Sequence, residues 1–124
     1  LEYAKSLGCR TIGISSNPGS PLDTLAEIPI CTDTGAEVIS GSTRLKAGSA
    51  QKLVLNMLST ASMIRCGYVY ENFMINLKPA NQKLKQRMVG IVCQLLECEE
   101  SRALEYLEEN SWSIPKVLDA RGML

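Results

Sequence analysis

The stretch that determines the predicted fold is TIGISSNPGSPLDTLAEIPICT, residues 11–32. Its beginning, residues 11–16, is a short apolar run that predicts a buried strand, and its end, residues 28–32, predicts a second strand. A turn and a short helix separate the two runs. Because strands that alternate with helices pair in parallel, this order predicts a layered α/β sheet.

The connecting helix has clear start signals. Asn-Pro-Gly predicts a turn at residues 17–19, and Ser20 offers a helix N-cap. Pro21 suits the first helical position, and Asp23 stands where a capping box places an acid. We therefore predict a helix over residues 21–27. Pro29 within the second strand favours an edge position in the sheet.

The flanking segments continue the α/β pattern. Residues 1–7 predict the end of a helix closed by Gly8, and residues 33–41 predict a loop. The strongest helical segment follows over residues 42–66, closed by Gly67. At 100° per residue it carries one broad apolar face, which predicts packing on a sheet and a large share of the core. That face consists of Ala50, Leu53, Val54, Met57, Ala61 and Ile64.

The last third of the chain predicts a small helical subdomain. Residues 68–77 predict a loop that ends before Pro79, and three segments with helical spacing of apolar residues follow. We therefore predict two domains: residues 1–77 as the C-terminal part of an α/β domain, and residues 78–124 as a helical bundle. The chain begins at Leu1, without Met and in a helical pattern, as expected for part of a longer protein.

Composition excludes several classes of function. Thirteen Lys and Arg residues balance thirteen Asp and Glu residues, so no general field attracts nucleic acid or an anionic membrane. Five cysteines without a C-x-x-C pair argue against a disulfide framework or a zinc ribbon. Since His is absent, a Ser-His-Asp triad and imidazole ligation of a metal are excluded. No apolar run reaches the roughly 18 residues of a membrane span, and no signal peptide is recognisable, so we expect a cytoplasmic protein.

The stretch TGAEVISGSTRLKAGSAQK, residues 34–52, holds the candidate site. Ser42 and Thr43 follow a glycine and predict an N-cap for the long helix. The N–H groups and dipole of a first helical turn attract anions, so a phosphate or carboxylate is expected there. Arg44 falls in the same turn, but we expect its side chain to be a solvated surface charge.

Lys46 projects onto the apolar face of that helix, which predicts a buried stem. Its ammonium then needs an acid or a ligand anion, because an unpaired buried charge is costly. Glu37 is the nearest acid in sequence. Two interpretations stay open: a structural pair between Lys46 and Glu37 that closes the loop, and a ligand-binding cation. We predict a substrate-binding set that comprises Glu37, Ser42, Thr43 and Lys46, with no catalytic or metal-ligating residue in this chain.

Other polar groups are weaker candidates. Ser15, Ser16 and Asn17 follow the first strand, where open α/β sheets place ligands, although turn formation explains them equally well. The glycines form neither G-x-G-x-x-G nor a Walker A motif, so no nucleotide cofactor is expected. The acidic residues from Glu97 to Glu109 predict a solvated helical face.

Residues 35–52 resemble the N-acetylmuramic acid 6-phosphate etherase family, whose segment has the approximate pattern G-P-E-V-I-x-G-S-T-R-[LM]-K-A-G-[TS]-A-Q-K. The resemblance extends upstream to residues 11–22 and downstream through residues 53–60 and 81–87. Ala36 and Ala80 depart from the family pattern. In position, the chain resembles the C-terminal portion of the family.

The resemblance implies a sugar isomerase (SIS) type α/β domain with a small ubiquitin-associated-like helical bundle at its end. It also implies a homodimer that cleaves the D-lactyl ether of N-acetylmuramic acid 6-phosphate in cell-wall recycling. The products are N-acetylglucosamine 6-phosphate and D-lactate, and no cofactor is needed. The family's catalytic glutamates and Ser-rich phosphate loop precede the segment that this chain resembles, so the chain alone is expected to be inactive.

Two alternatives come from other classes of protein. Glucokinase regulatory proteins have a similar Ser-Thr-Arg-[LM]-Lys segment and bind sugar phosphates without turnover. A helical interaction module fused to a partial domain is a third interpretation, which the match around Lys46 disfavours. The catalytic acids distinguish an etherase from a regulatory protein, because a protein that only binds the sugar phosphate does not need them.

Overall fold

A computed structural model describes all residues from Leu1 to Leu124. The elements in chain order are α1 (Glu2–Ser6), β1 (Ile12–Ser15), α2 (Pro21–Leu25), β2 (Ile28–Cys31), α3 (Lys46–Arg65), β3 (Val69–Tyr70), β4 (Phe73–Met74), α4 (Gln82–Leu96), α5 (Glu100–Glu109) and α6 (Ile114–Asp119). They form two compact units, Leu1–Thr60 and Ala61–Leu124. The predicted mixture of helices and strands is confirmed, whereas a domain boundary after residue 77 stays a prediction.

In the first unit, β1 and β2 pair in parallel, with Ile12 opposite Ile28. The predicted β-α-β order is therefore confirmed. Gly13 allows α2 to lie close to β1, because a Cβ at this position would meet the Ala26 Cβ at 2.7 Å. Thr11, which precedes β1, is buried, and its hydroxyl accepts a hydrogen bond from the N–H of Glu27, which precedes β2, at 3.1 Å.

The start of α2 follows the predicted capping pattern. Ser20 precedes the helix, and its hydroxyl accepts a hydrogen bond from the Asp23 N–H at 3.4 Å. Pro21 occupies the first helical position, where a missing N–H costs nothing. The helix ends at Leu25, two residues before the predicted end.

The prediction that α3 carries much of the core is wrong. Val54 is its one buried residue, whereas Leu53 and Met57 keep 56% and 63% of their surface exposed. A sheet of two four-residue strands offers too little surface to cover a helix of 20 residues. The helix also begins at Lys46, four residues after the predicted start.

The main core lies in the second unit. Its buried residues come from α4, α5, α6 and the segment after β4: Ile75, Met88, Ile91, Val92, Ala103, Leu107, Ile114, Val117 and Leu118. Asn81 caps α4 by accepting from the Leu84 N–H at 2.9 Å, and Ser113 caps α6. The three helices predicted for the end of the chain are confirmed, with sequence-distant apolar residues meeting in one cluster.

The connection before α4 was predicted as a loop, and that prediction is incomplete. It contains a hairpin in which Val69 pairs with Met74 and Tyr70 with Phe73. Glu71 takes a left-handed conformation (φ 52°) in the two-residue turn. None of the helices has the length and apolar character required to cross a membrane.

Candidate functional site

The loop after β1 is held by one carboxylate. Asp23 accepts a hydrogen bond from the Ser15 hydroxyl at 2.6 Å and a second from the Gly19 N–H at 3.0 Å. The bond from Ser15 is the main reason that the pKa of Asp23 lies below its ordinary value. The ionised carboxylate therefore fixes both ends of the turn between β1 and α2.

A second set of contacts joins the carboxyl ends of the two strands. The Thr32 hydroxyl donates to the Ser15 carbonyl at 3.2 Å, and the Ser16 hydroxyl lies 3.0 Å from the Thr32 hydroxyl. Open α/β sheets bind ligands at this edge. The hydroxyl groups of Ser15 and Ser16 therefore lie where the fold class places a ligand.

The start of α3 is occupied by a carboxylate of the chain itself. Glu37 accepts from the Lys46 N–H at 2.9 Å and from the Ala47 N–H at 3.0 Å. These two bonds, that from Ala47 first, lower the pKa of Glu37 from its ordinary value. The next two N–H groups bond to carbonyls, Gly48 to Thr43 at 2.8 Å and Ser49 to Leu45 at 3.0 Å. The predicted anion at this helix start is thus a side chain of the same protein.

Ser42 and Thr43 do not cap α3, because they lie in the turn that precedes it. The Ser42 carbonyl accepts from the Leu45 N–H at 3.1 Å. The predicted cap is wrong because Glu37, nine residues before Lys46, reaches the same N–H groups with both carboxylate oxygens. A contact of this kind depends on how the whole loop folds back, which local sequence rules do not encode.

Lys46 differs from its prediction in two respects. Its side chain is exposed, not buried, and it forms no ion pair with Glu37. Its ammonium lies above Gly35, 3.9 Å from the place of a Cβ on that glycine. Lys46 still lowers the pKa of Glu37 through its charge, as the smallest of the causes. The predicted structural contact between Lys46 and Glu37 is therefore made by the backbone N–H of Lys46, and its ammonium is exposed to solvent.

A cavity of about 380 Å³ lies between the end of β1 with its following loop and the first turns of α3. Its lining is uncharged and combines polar with apolar residues: Ile14, Ser15, Ser16, Asn17, Thr43, Ala47, Gly48 and Gln51. Of the four predicted site residues, Thr43 lines this cavity and Glu37 holds the backbone of its wall at Ala47. Ser42 and Lys46 lie outside the lining.

Gln51 was missed by the sequence analysis. It lies one helical turn after Ala47, on the same side of α3, so the i to i+4 spacing was an available signal. A larger cavity of about 490 Å³ lies in the second unit, beside Trp112 and Lys85. The cavity of the first unit is the better candidate, because it lies at the carboxyl ends of parallel strands.

Comparisons with known proteins identify relatives of the chain. It is 53% identical over 108 residues to N-acetylmuramic acid 6-phosphate etherase 1 of Enterococcus faecalis, a match that covers 87% of this chain and 36% of that protein. It is 54% identical to the N-acetylmuramic acid 6-phosphate etherase of Pseudoalteromonas atlantica over 108 residues, which are 87% of this chain and 35% of the relative. The etherase of Oceanobacillus iheyensis is 50% identical over 92% of this chain and 39% of its own length.

These matches confirm the predicted resemblance to the N-acetylmuramic acid 6-phosphate etherases. The chain spans between a third and two-fifths of the length of the curated relatives that it matches. No protein-family model matches it.

Proposed function

We propose that this chain, a relative of the N-acetylmuramic acid 6-phosphate etherases, is part of a lyase that cleaves the D-lactyl ether of N-acetylmuramic acid 6-phosphate. The products are N-acetylglucosamine 6-phosphate and D-lactate, in cell-wall recycling in the cytoplasm. The observation that carries this proposal is 53% identity over 108 residues to a protein named for this activity. At that identity two proteins share their fold, and a shared activity is the simplest explanation.

In the complete protein, the first unit forms part of a SIS-type domain and the three C-terminal helices form a ubiquitin-associated-like bundle. The parallel pairing of β1 and β2 supports the first assignment, and the packing of α4 with α5 and α6 supports the second. Two such proteins form a homodimer, and no cofactor takes part.

The cavity beside Ser15 and Thr43 forms one wall of the substrate site. Its hydroxyl and amide groups suit a sugar, which offers both donors and acceptors. Glu37 takes part by fixing the helix start at Ala47, and Ser42 belongs to the turn that brings Thr43 to the wall. Lys46, which directly precedes the lining residue Ala47, supplies the cation that binds the phosphate of the sugar phosphate at the rim of the cavity.

The catalytic acids of the reaction lie outside residues 1–124. The carboxylates of Asp23 and Glu37 bond to residues of the cavity lining, and both accept hydrogen bonds that lower their pKa. A general acid needs a raised pKa in order to hold its proton at neutral pH. We therefore assign substrate binding to the wall formed by this chain, and the general acid to a residue elsewhere in the complete protein.

The test is an assay of the complete protein that contains this chain. Purified protein is incubated with N-acetylmuramic acid 6-phosphate, and released D-lactate is measured with a stereospecific lactate dehydrogenase. We expect release of D-lactate together with N-acetylglucosamine 6-phosphate in equal amounts. Binding of the sugar phosphate without release of lactate would overturn the etherase assignment in favour of a regulatory protein that binds sugar phosphates.

A further inference from the structure

The hydrogen bond between Ser15 and Asp23 determines the polarity of one end of the cavity. A serine hydroxyl has one hydrogen and two lone pairs. At 2.6 Å that hydrogen points at the Asp23 carboxylate, whereas the alternative acceptor, the Asn17 carbonyl, lies at 3.4 Å. Because the second Asp23 oxygen is held by the Gly19 N–H, the carboxylate cannot turn away. With its hydrogen engaged by Asp23, the hydroxyl of Ser15, a residue of the cavity lining, offers a further partner only its lone pairs and is therefore an acceptor.

The surrounding charges agree with that polarity. No Lys or Arg lines the cavity. The first two N–H groups of α3, which would otherwise attract a phosphate, are bonded to Glu37. Two ionised carboxylates thus bond directly to lining residues, Asp23 to Ser15 and Glu37 to Ala47. A phosphate dianion in this cavity would face their negative charge without a compensating cation.

We propose that Asp23 is a positioning residue that fixes the Ser15 hydroxyl as a hydrogen-bond acceptor, so that this end of the cavity takes a hydroxyl or amide N–H of the sugar and not its phosphate. The proposal rests on the proposed function, since it assigns the sugar part of that substrate to this cavity and its phosphate to another part of the site. Helix capping does not account for the arrangement. A cap of α2 explains the bonds of Asp23 to Gly19 and Ser20, but not its bond to Ser15 in β1.

The test compares three single variants and one double variant of the complete protein. Asp23→Asn removes the charge with little change of shape, and Ser15→Ala removes the hydroxyl. Ser20→Ala removes the cap of α2 and the smaller contribution of Ser20 to the Asp23 carboxylate, but leaves the bond from Ser15, and serves as the matched control. We expect Asp23→Asn and Ser15→Ala each to raise KM for N-acetylmuramic acid 6-phosphate about tenfold, with a much smaller change in kcat. The KM of the double variant Asp23→Asn, Ser15→Ala should not exceed the higher KM of its two single variants. The same interaction is lost in each of these three proteins, so the two effects should not add.

Inhibition by two small molecules shows whether the cavity binds the sugar or the phosphate of the substrate. N-acetylglucosamine carries hydroxyl and amide groups without a phosphate, and inorganic phosphate carries the reverse. Asp23→Asn should weaken inhibition by N-acetylglucosamine about tenfold and leave inhibition by inorganic phosphate unchanged or stronger. Ser20→Ala should lower Tm while both inhibition constants stay those of the wild type.

Two results would overturn the proposal. If Asp23→Asn and Ser15→Ala behave like Ser20→Ala, with a lower Tm and an unchanged KM, Asp23 only caps α2. If Ser15→Ala weakens inhibition by inorganic phosphate instead, the cavity holds the phosphate. A wild-type protein that releases no D-lactate contradicts the proposed function alone, and calorimetric binding of N-acetylglucosamine to the same variants then decides the role of Asp23.

Discussion

The Oε1 atom of Glu37 lies 3.0 Å from the backbone nitrogen of Ala47, and the other carboxylate oxygen bonds to the preceding N–H of the same helix. One side chain therefore satisfies two of the four N–H groups that every helix start leaves without an intrahelical partner. It also places a negative charge at the positive end of the helix dipole. The long helix α3 therefore begins at the residues that this carboxylate binds.

The first prediction concerns the pH dependence of this contact. The folded-state pKa of Glu37 lies below its ordinary value of 4.5. The carboxylate therefore contributes its full stability above that value, and the contribution is lost as the pH falls through the lowered folded-state pKa. Glu37→Gln should lower Tm at neutral pH, and the difference from wild type should shrink as the pH falls below 4.5 and through the lowered folded-state pKa. Thermal unfolding followed by circular dichroism across this range measures both curves.

Glu109→Gln provides the control, since Glu109 is an exposed glutamate at the end of α5. It should leave Tm unchanged at neutral pH. A constant difference between Glu37→Gln and wild type at every pH would contradict the role of the ionised carboxylate, because the loss would then come from shape alone.

The second prediction concerns the core of the second unit. Leu107 is fully buried in the cluster that α4, α5 and α6 form. Leu107→Ala should lower the free energy of unfolding by about 2–5 kcal/mol, since it removes buried methyl groups and leaves a cavity. Leu104→Ala, on the same helix but 40% exposed, should cost much less. Urea unfolding measures both variants, and equal losses would mean that the core is not where the structure places it.

The third prediction concerns association of this 124-residue chain. Leu53 and Met57 expose more than half of their surface on α3. Because exposed apolar patches drive association, we expect the chain to form dimers or larger species as its concentration rises. Replacing both residues with Gln should shift sedimentation towards the monomer. A compact wild-type monomer at all concentrations would show that this face has no such role.

The fourth prediction is that the 124-residue chain alone releases no D-lactate from N-acetylmuramic acid 6-phosphate. The carboxylates of Asp23 and Glu37 accept hydrogen bonds that lower their pKa, whereas a general acid needs a raised pKa. The complete Enterococcus faecalis relative, of which the match covers 36%, is the positive control. Release of D-lactate by the chain at the rate of that control would place the catalytic acids within residues 1–124.

Local rules predicted the parts of the fold that depend on local sequence. The parallel strands follow from the order of elements in residues 11–32, and the cap of α2 follows from Ser20. The hairpin of β3 and β4 was missed because a strand of two residues is too short to show a period of two. In the candidate site, Thr43 was predicted from its motif and lines the cavity, whereas the contact of Glu37 with Ala47 joins residues ten positions apart and depends on tertiary folding.

The predicted burial of Lys46 failed for a related reason. Helical periodicity places Leu53, Val54 and Met57 on one side of α3, but it does not say whether another element covers that side. In the structure Val54 alone is covered. The position of a side chain on a helix was therefore predictable from sequence, and its exposure was not.

The last prediction concerns the role of Lys46 itself. Its backbone N–H bonds to Glu37, but its ammonium is exposed, near Gly35, and pairs with no carboxylate. Lys46→Met keeps the backbone bond and most of the stem, and removes only the charge. We therefore expect little change in Tm, because no ion pair and no buried charge is lost. If the ammonium binds the substrate phosphate from the rim of the cavity, KM of the complete protein should rise about tenfold or more.

Lys52→Met is the matched control, because Lys52 is also exposed on α3 and does not line the cavity. It should leave both Tm and KM at their wild-type values. The ionic strength gives a second measurement: added salt screens an exposed cation, so it should raise KM of the wild type more than KM of Lys46→Met. A marked fall in Tm with unchanged kinetics in Lys46→Met would mean that the side chain only supports the loop around Gly35, and that the phosphate finds its cation elsewhere.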